Sequence, residues 1–335
     1  VDSHVHLTAT GLMRTGLDLG PATSRQDCLR LLAEHVAAHR GQPVWGHGWD
    51  DTDWDRPPST ADIDAVVGSA PVYLARVDVH SAVGSSPLRD RVPGLSAARG
   101  FDPQRPLTSA AHHLVRAEAR RLLTWRQRDE ARRAALDAAA ANGIVAVHEC
   151  AGPEIGGVED WAELYAVEHG VEVIGYWGEA VSTAAQARAL IDATGARGLA
   201  GDLFVDGALG SRTAWLSEPY ADASDCTGSC HLDPDAVGEH LLACTEAGIA
   251  AGFHVIGDAA VTAVVDALGR TVQRFGAPAV ARCGHRLEHV EMVTAEQAAA
   301  LGGWGITASM QPGFDALWGG PDGMYARRLG PGRAA

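Results

Sequence analysis

The stretch Ile249–Asp258, IAAGFHVIGD, decides the fold. Its apolar run Ile249–Ile256 predicts a strand, and Ala259–Phe275 behind it predicts a helix. The same strand-then-helix unit recurs on both sides. Upstream, Gly143–His148 and Val171–Trp177 predict strands and Glu159–Glu168 a helix. Thr183 with Gln186 forms a capping-box pattern opening a helix to about Thr194. Leu203–Val205 predicts a short fourth strand. Asp233-Pro234 starts the next helix as N-cap and N1, and Gly248 closes it at C′. Downstream, Arg286–Val293 and Gly305–Met310 predict strands, with Thr294 and Gln297 capping the helix between them. With Val1–Leu7 as the opening strand, the count is seven βα-type strands.

A repeated βα rhythm is the signature of a parallel sheet, and a barrel needs eight such strands. The expected fold class is therefore α/β: a (β/α)8 TIM-type barrel whose last strand would lie beyond Ala335. Residues 1–19 hold the first barrel strand and its loop. Residues 20–125, rich in Gly, Pro, Asp and Trp with a strand-like run at Val72–Val77, break the rhythm and read as an inserted α+β subdomain. Residues 126–335 hold the remaining strands and helices, starting with an Ala-rich helix that ends at Asn142-Gly143. Val1 begins mid-strand and Gly330–Ala335 stops without a closing element, so the sequence reads as a piece truncated at both ends.

All 27 basic residues are Arg, against 42 acidic ones, for a net charge of −15. Without Lys there is no pyridoxal-phosphate aldimine, no P-loop lysine and no carbamylated lysine between metals. Arg replaces Lys in none of these, because its guanidinium stays protonated. The acidic balance argues against nucleic acid and anionic membranes as partners. Six cysteines in a long chain with no leader and no apolar run of membrane-span length point to reduced thiols in a cytoplasm.

Four histidines carry the chemistry. In His4-Val5-His6, residues i and i+2 of a strand point to one face, so two imidazoles stand side by side. Imidazole suits Zn, Fe, Ni or Mn. His254 and His289 each close a predicted strand, and the C-terminal face of a βα barrel is where sites are built. The loop Asp206–Ala214, DGALGSRTA, follows the fourth strand and offers Arg212 for an anionic group. His148, Glu149 and Cys150 close the second strand, where alternation lets only His148 and Cys150 share a face. Cys226, Cys230 and His231 have a zinc-knuckle look but lack a fourth ligand at suitable spacing. His112-His113 and the Trp45/Trp49/Trp54 cluster read as structural or entrance residues.

His4-x-His6, His254 and His289, in this order on strands one, five and six, resemble the amidohydrolase superfamily. The segments Asp206–Ala214, His254–Asp258 and Glu288-His289 resemble its amidohydrolase 3 or YtcJ-like subgroup, which includes N-substituted formamide deformylase. The resemblance runs over nearly the whole chain. It implies a metal-binding barrel joined to a small β-sandwich built from segments outside this sequence. It implies that His4, His6, His254 and His289 hold a divalent metal, most simply Zn, as one or two ions. Asp206, His254 and His289 are the expected catalytic groups, and His80, Arg212, Gln311 and Trp49 are expected to bind substrate. The subgroup's general base, an Asp closing strand eight, is expected beyond Ala335. The subgroup carries a Lys four residues before the Asp-Gly of strand four, where this sequence has Asp202. A carboxylate there can bridge two metals, bind one, or face solvent.

The implied activity is hydrolysis of a non-peptide C–N bond in a small amide by metal-activated water, with Asp258 or Glu288 orienting the histidines. One alternative is a mononuclear deaminase, cyclic-amide hydrolase or isomerase on the same barrel. Another is a degenerate metal-free binding protein. The expected partner is a small-molecule amide, not nucleic acid or a membrane, and a homodimer is the assembly the reading allows.

Overall fold

The computed structural model describes residues 1–334. The chain divides into two compact units. One comprises Val1–His6, Ile144–Val158 and the chain from Val171 onward; the other comprises Leu7–Gly143 and Glu159–Gly170.

The first unit holds β1 (Asp2–Val5), β2 (Ala146–Ala151), β3 (Glu172–Trp177), β4 (Gly198–Leu199), β5 (Ala250–Val255), β6 (Arg286–His289) and β7 (Thr307–Ser309). Every pairing among them is parallel, in the orders β1-β2-β3 and β7-β6-β5-β4. The two sheets adjoin where the Arg197 N–H donates to Gly175 O at 2.8 Å. Among the described residues no backbone ladder joins β1 to β7, so the strands form no closed barrel. Those two strands meet instead through the Ser3 and Ser309 hydroxyls, 3.2 Å apart.

The helices begin and end where side chains satisfy their free backbone groups. Thr183 accepts from Gln186 N to open α1 (Ala184–Thr194), which stops at Gly195 in the left-handed region. Asp233 accepts from Asp235 N and Ala236 N to open α2 (Pro234–Ala247), and Gly248 ends it at φ 72°. In α3 (Asp258–Phe275), Val261, Val264, Val265 and Leu268 recur at helical spacing and are all buried. β5 and β6 are buried almost throughout, as parallel strands are when both faces are covered.

The fourth strand corrects the sequence reading. The ladder pairs Ala250 with Gly198 and Ala251 with Leu199, then resumes with a single bridge between His254 and Phe204. Ala200–Leu203 therefore bulges opposite Gly252 and Phe253. Leu203–Val205 is not a strand of its own. The cause is Gly201, at φ 85°, packed so closely that a Cβ there would stand 3.0 Å from Cys150 Cα. The run Val1–Leu7 also shortens: β1 ends at Val5, and Leu7 already begins a helix.

The second unit carries a five-stranded sheet of Leu17–Asp18, Val44–Trp49, Val72–Arg76, Ser81–Gly84 and Leu107–Thr108. Its first three strands are parallel and the last two join antiparallel. The unit is larger than the expected 20–125. Helices Leu7–Thr15 and Trp125–Ala141 cross so closely that a Cβ on Gly11 would lie 1.8 Å from Ala131 O. The fully buried Arg132 guanidinium then ties Trp125–Ala141 to Asp160 at 2.7 Å and to Glu163 at 2.5 Å. Among the described residues, no helix is long and apolar enough to cross a membrane.

Candidate active site

Asp202 is the centre of the site, and the bulge in β4 puts it there. Four imidazoles of the same unit surround its carboxylate. His6 Nε2 lies 2.9 Å and His4 Nε2 3.6 Å from Oδ2. His254 Nδ1 lies 3.4 Å and His289 Nε2 3.5 Å from Oδ1. His4 and His6 arrive from the end of β1, although His6 falls one residue past the strand. His254 and His289 come from β5 and β6. The ring centroids of His254 and His289 are 4.5 Å apart, and those of His4 and His289 4.8 Å.

Outer contacts fix the tautomers of the neutral rings. Glu288 Oε2 only accepts, so His4 Nδ1–H donates to it at 2.8 Å and Nε2 is left as a lone pair. His254 Nε2–H donates to Gly207 O at 3.0 Å, leaving Nδ1. His289 Nδ1–H donates to Gln311 Oε1, leaving Nε2. In the neutral form that binds a metal, three imidazoles thus aim lone pairs at one carboxylate, with their other nitrogens tied to acceptors; without a cation between them, Asp202 favours a proton on the facing nitrogens of His4 and His254. This is the arrangement by which outer-shell groups orient metal-ligating histidines.

His289 and Val290 both adopt left-handed backbone, at φ 70° and 51°. For a β-branched residue this is a real outlier, with a cost on the order of 1–3 kcal/mol. The surroundings enforce it: the Val290 N–H donates to Val255 O at 2.9 Å.

Charge follows from this geometry. Burial pushes the Asp202 carboxyl up, but the His4, His254 and His289 imidazoles outweigh it and hold the group well below the usual carboxylate range. Burial lowers His4 and His254, yet the facing Asp202 wins and raises both. At His289 burial and the neighbouring His254 prevail, and its pKa falls. Glu288 is pushed up by burial but pulled further down by His4 and Arg286.

The donor set fits a cation. Asp202 Oδ1 and His254 Nδ1 are buried without a hydrogen-bond partner. His4, Asp202 and His289 offer ligand atoms all within 4.8 Å of one another. A second such group among the described residues is His4, Cys150 and Glu288. Nitrogen and carboxylate donors of this kind suit Zn and its first-row neighbours. The open side is at His6, whose side chain is 28% exposed.

Other expected site residues lie elsewhere. Asp206 is fully buried, and its oxygens accept from the backbone N–H groups of Ile256, Gly257 and Trp215 at 2.8–3.0 Å. Burial raises its pKa to about 6 against the pull of His254 and those N–H groups. It staples the loop after β4 to the end of β5. Arg212 pairs with Asp222 through two bonds, Nε at 2.9 Å and Nη2 at 2.8 Å. Gln311 binds His289 rather than open space. Trp49 is buried in the core of the second unit, its Nε1–H donating to Leu74 O at 3.0 Å. His80 also belongs to that unit, on the turn after strand Val72–Arg76. Asp258 accepts from Ser217 N and Oγ and touches no imidazole of the site, so Glu288 alone of that expected pair orients a histidine. Cys226 and Cys230 point their thiols at Arg212 O and Leu232 O respectively, not at a shared centre.

Sequence reading does not single out Arg286. A charged residue opening a strand four residues long and buried throughout, two positions before Glu288, is the signal that marks it. Its guanidinium is held by Glu288 at 2.5 and 3.0 Å, by His148 Nδ1 at 2.9 Å and by Ser3 O at 2.6 Å. Cys150 is likewise buried beside the site, its thiol pushed up to about 12 by burial.

Comparison with known proteins agrees with this geometry. The chain is 26% identical over 370 aligned positions to Protein LONG AFTER FAR-RED 3 of Arabidopsis thaliana, covering all of this chain and 61% of that protein. It is 27% identical over 346 positions to the YtcJ protein of Bacillus subtilis (strain 168), covering 94% of this chain and 62% of that one. The chain therefore spans about three fifths of the length of these relatives. A crystal structure of an uncharacterized metal-dependent hydrolase from Pyrococcus furiosus superposes with a TM-score of 0.69 at 25% identity, over 99% of this chain and 67% of that one. A second, from Pyrococcus horikoshii OT3, shares the fold with a TM-score of 0.73 at 22% identity, over 99% of this chain and 65% of that one. Residues 1–335 match the Amidohydrolase family from end to end. The chain belongs to the Amidohydrolase family and is YtcJ-like.

Proposed function

We propose that this chain carries the metal centre of a hydrolase that cleaves a non-peptide C–N bond, amide- or formamide-like, in a small molecule. The observation that carries the reading is the ring of four imidazoles around Asp202, three with lone pairs aimed at it. The seven parallel strands then correspond to seven of the eight of a (β/α)8 barrel. His4, His6, His254, His289 and Asp202 are the proposed ligands of a divalent ion, with Zn the best match to the donor set. A divalent ion held there would supply Lewis acidity for activating water near neutral pH and polarising a substrate carbonyl.

The chain's own groups do the rest. Glu288, Gly207 and Gln311 hold three imidazoles in the tautomers that leave lone pairs inward. The positive charge of protonated His4 and hydrogen bonds from His254, His289 and His4 keep Asp202 ionised. A cation taking the place of those protons would do the same, so Asp202 serves as a ligand and not as an acid. The exposed edge of His6 marks the side from which water and substrate enter.

The test uses the full chain, purified with its metal counted and assayed against a panel of N-formyl and N-acyl amines. Chelation should abolish turnover and zinc should restore it. The double change His4→Ala/His6→Ala should remove the metal. Metal content that survives this double change sinks the site assignment. A loaded protein that cleaves esters and no amide sinks the C–N reading.

A further inference from the structure

We infer that Phe314 and Trp318 form a specificity wall beside the strand-end imidazoles, and that this wall receives a flat aromatic ring of the substrate. The inference rests on the hydrolase reading above and names which small molecules the site prefers.

Two of the clustered imidazoles each have a phenylalanine ring beside them. Phe204 lies 4.8 Å from the His254 ring, centroid to centroid. Phe314 lies 6.0 Å from the His289 ring, with the two planes only 16° apart. From Phe314 the row of rings continues, with Trp318 at 4.9 Å and then Tyr325 at 6.4 Å. Such spacings are those of interacting aromatic pairs, about 4.5–7 Å.

Local chemistry holds the row in place. Pro312 opens the helix Pro312–Trp318 at its first position, and Phe314 and Trp318, four residues apart, share one of its faces. Just before it, Gln311 accepts from His289 Nδ1 at 2.5 Å. The next helix, Met324–Leu329, is tied to the loop after β4. Arg328 donates to Gly210 O at 3.1 and 3.2 Å, and its carbonyl accepts from Ala221 N at 2.8 Å. Tyr325 packs with Ile256 and Leu329, and its hydroxyl donates to Glu291. The row is thus anchored at both ends, one of them on a proposed metal ligand.

Rings that only sealed the end of the sheet would be buried, as Trp177 and Phe253 are. Phe314, Trp318 and Tyr325 stay half-buried. Part-exposed aromatic faces beside a few fixed polar groups are how small-molecule sites are lined. A plain apolar surface favours the larger, saturated ring of two of similar shape. A row of ring faces favours the flat one, because it adds stacking to burial.

The experiment uses two matched pairs of amides, each pair differing only in phenyl against cyclohexyl. One pair carries the ring on the amine: N-formyl-2-phenylethylamine and N-formyl-2-cyclohexylethylamine. The other carries it on the acyl group: phenylacetamide and cyclohexylacetamide. Calorimetry measures binding to the metal-stripped full chain, and kcat/KM is measured on the zinc-loaded chain. The phenyl member of at least one pair should bind about 2- to 10-fold tighter and be favoured in kcat/KM by a similar factor. The double change Phe314→Leu/Trp318→Leu should remove that preference while leaving the metal content unchanged.

Cyclohexyl members that bind and react as well as the phenyl ones overturn the inference and leave the hydrolase reading intact. A phenyl preference in binding, with no amide cleaved by the loaded chain, overturns that reading and leaves the wall standing. A preference that survives the double change overturns the assignment to these two rings. Neither binding nor cleavage of any member overturns both. If the doubly changed chain does not fold, the matched pairs on the unaltered chain decide alone.

Discussion

Glu288→Gln removes one charge and keeps the shape, so it isolates what that carboxylate does. Glu288 is fully buried and accepts two bonds from Arg286 and one from His4. Neutralising it leaves the Arg286 guanidinium, only 3% exposed, without a counter-charge. Breaking one partner of a buried ion pair costs about 3–5 kcal/mol. At about 2–4 °C per kcal/mol for a unit of this size, Tm should fall by about 6–20 °C. His4 also loses the charged acceptor that fixes its tautomer, which should weaken metal binding by about 10- to 100-fold. Differential scanning calorimetry of the stripped protein measures the first effect, and chelator competition the second. The double change Arg286→Met/Glu288→Met separates them, because an apolar pair restores most of the stability and none of the affinity. A Tm within about 2 °C of the parent, with affinity changed less than about twofold, would refute the assignment of Glu288 as anchor of both groups.

Three further outcomes follow from the same geometry. Gly201→Ala should destabilise the chain by about 1–3 kcal/mol and weaken metal binding with it, since the new Cβ meets Cys150 at 3.0 Å on a backbone at φ 85°; urea melts and metal titration check this. Gly11→Val should cost at least as much through the Leu7–Thr15 and Trp125–Ala141 crossing while leaving the metal count unchanged, and a loss of metal without a loss of stability would contradict it. His240 and His285 are buried imidazoles pushed down to about 4 by burial, each accepting a backbone N–H, from Val181 and Ala251 respectively. Their folded pKa lies below the ordinary 6.5, so the stability they contribute is present above pH 6.5 and is lost as pH falls toward and through 4. Each should contribute at most about 3 kcal/mol of that loss, and denaturant melts giving equal stability at about pH 7 and about pH 5 would contradict it.

The helix ends and most strands are legible in the sequence because local chemistry decides them. Thr183, Asp233 and Thr294 cap the helices their spacing predicts, and Gly248 ends α2 as its position suggests. The four histidines converge because strand ends in a parallel sheet share one face. Asp202 is ambiguous in sequence for a physical reason: period-two reading assumes a continuous strand, and a bulge with two extra residues breaks that assumption. Asp206 and Arg212 look chemical in a glycine-rich loop, yet their partners, three backbone N–H groups and Asp222, are set by tertiary folding. Arg286 is silent because an Arg-x-Glu pair in a short strand reads as a solvated face until burial and the partners His148 and Ser3 are known. The unit boundaries shift because Gly11 and Arg132 make contacts far apart in sequence that composition does not register.

The bulge at Ala200–Leu203 separates delivery from cargo. Backbone geometry, fixed by a glycine pressed against Cys150, brings whatever side chain stands at position 202 to the imidazoles. The side chain then decides the chemistry, and it can be exchanged without rebuilding the scaffold. A lysine brought to the same socket would offer its amine where the carboxylate now stands, so one codon, at position 202, sets what the four imidazoles face.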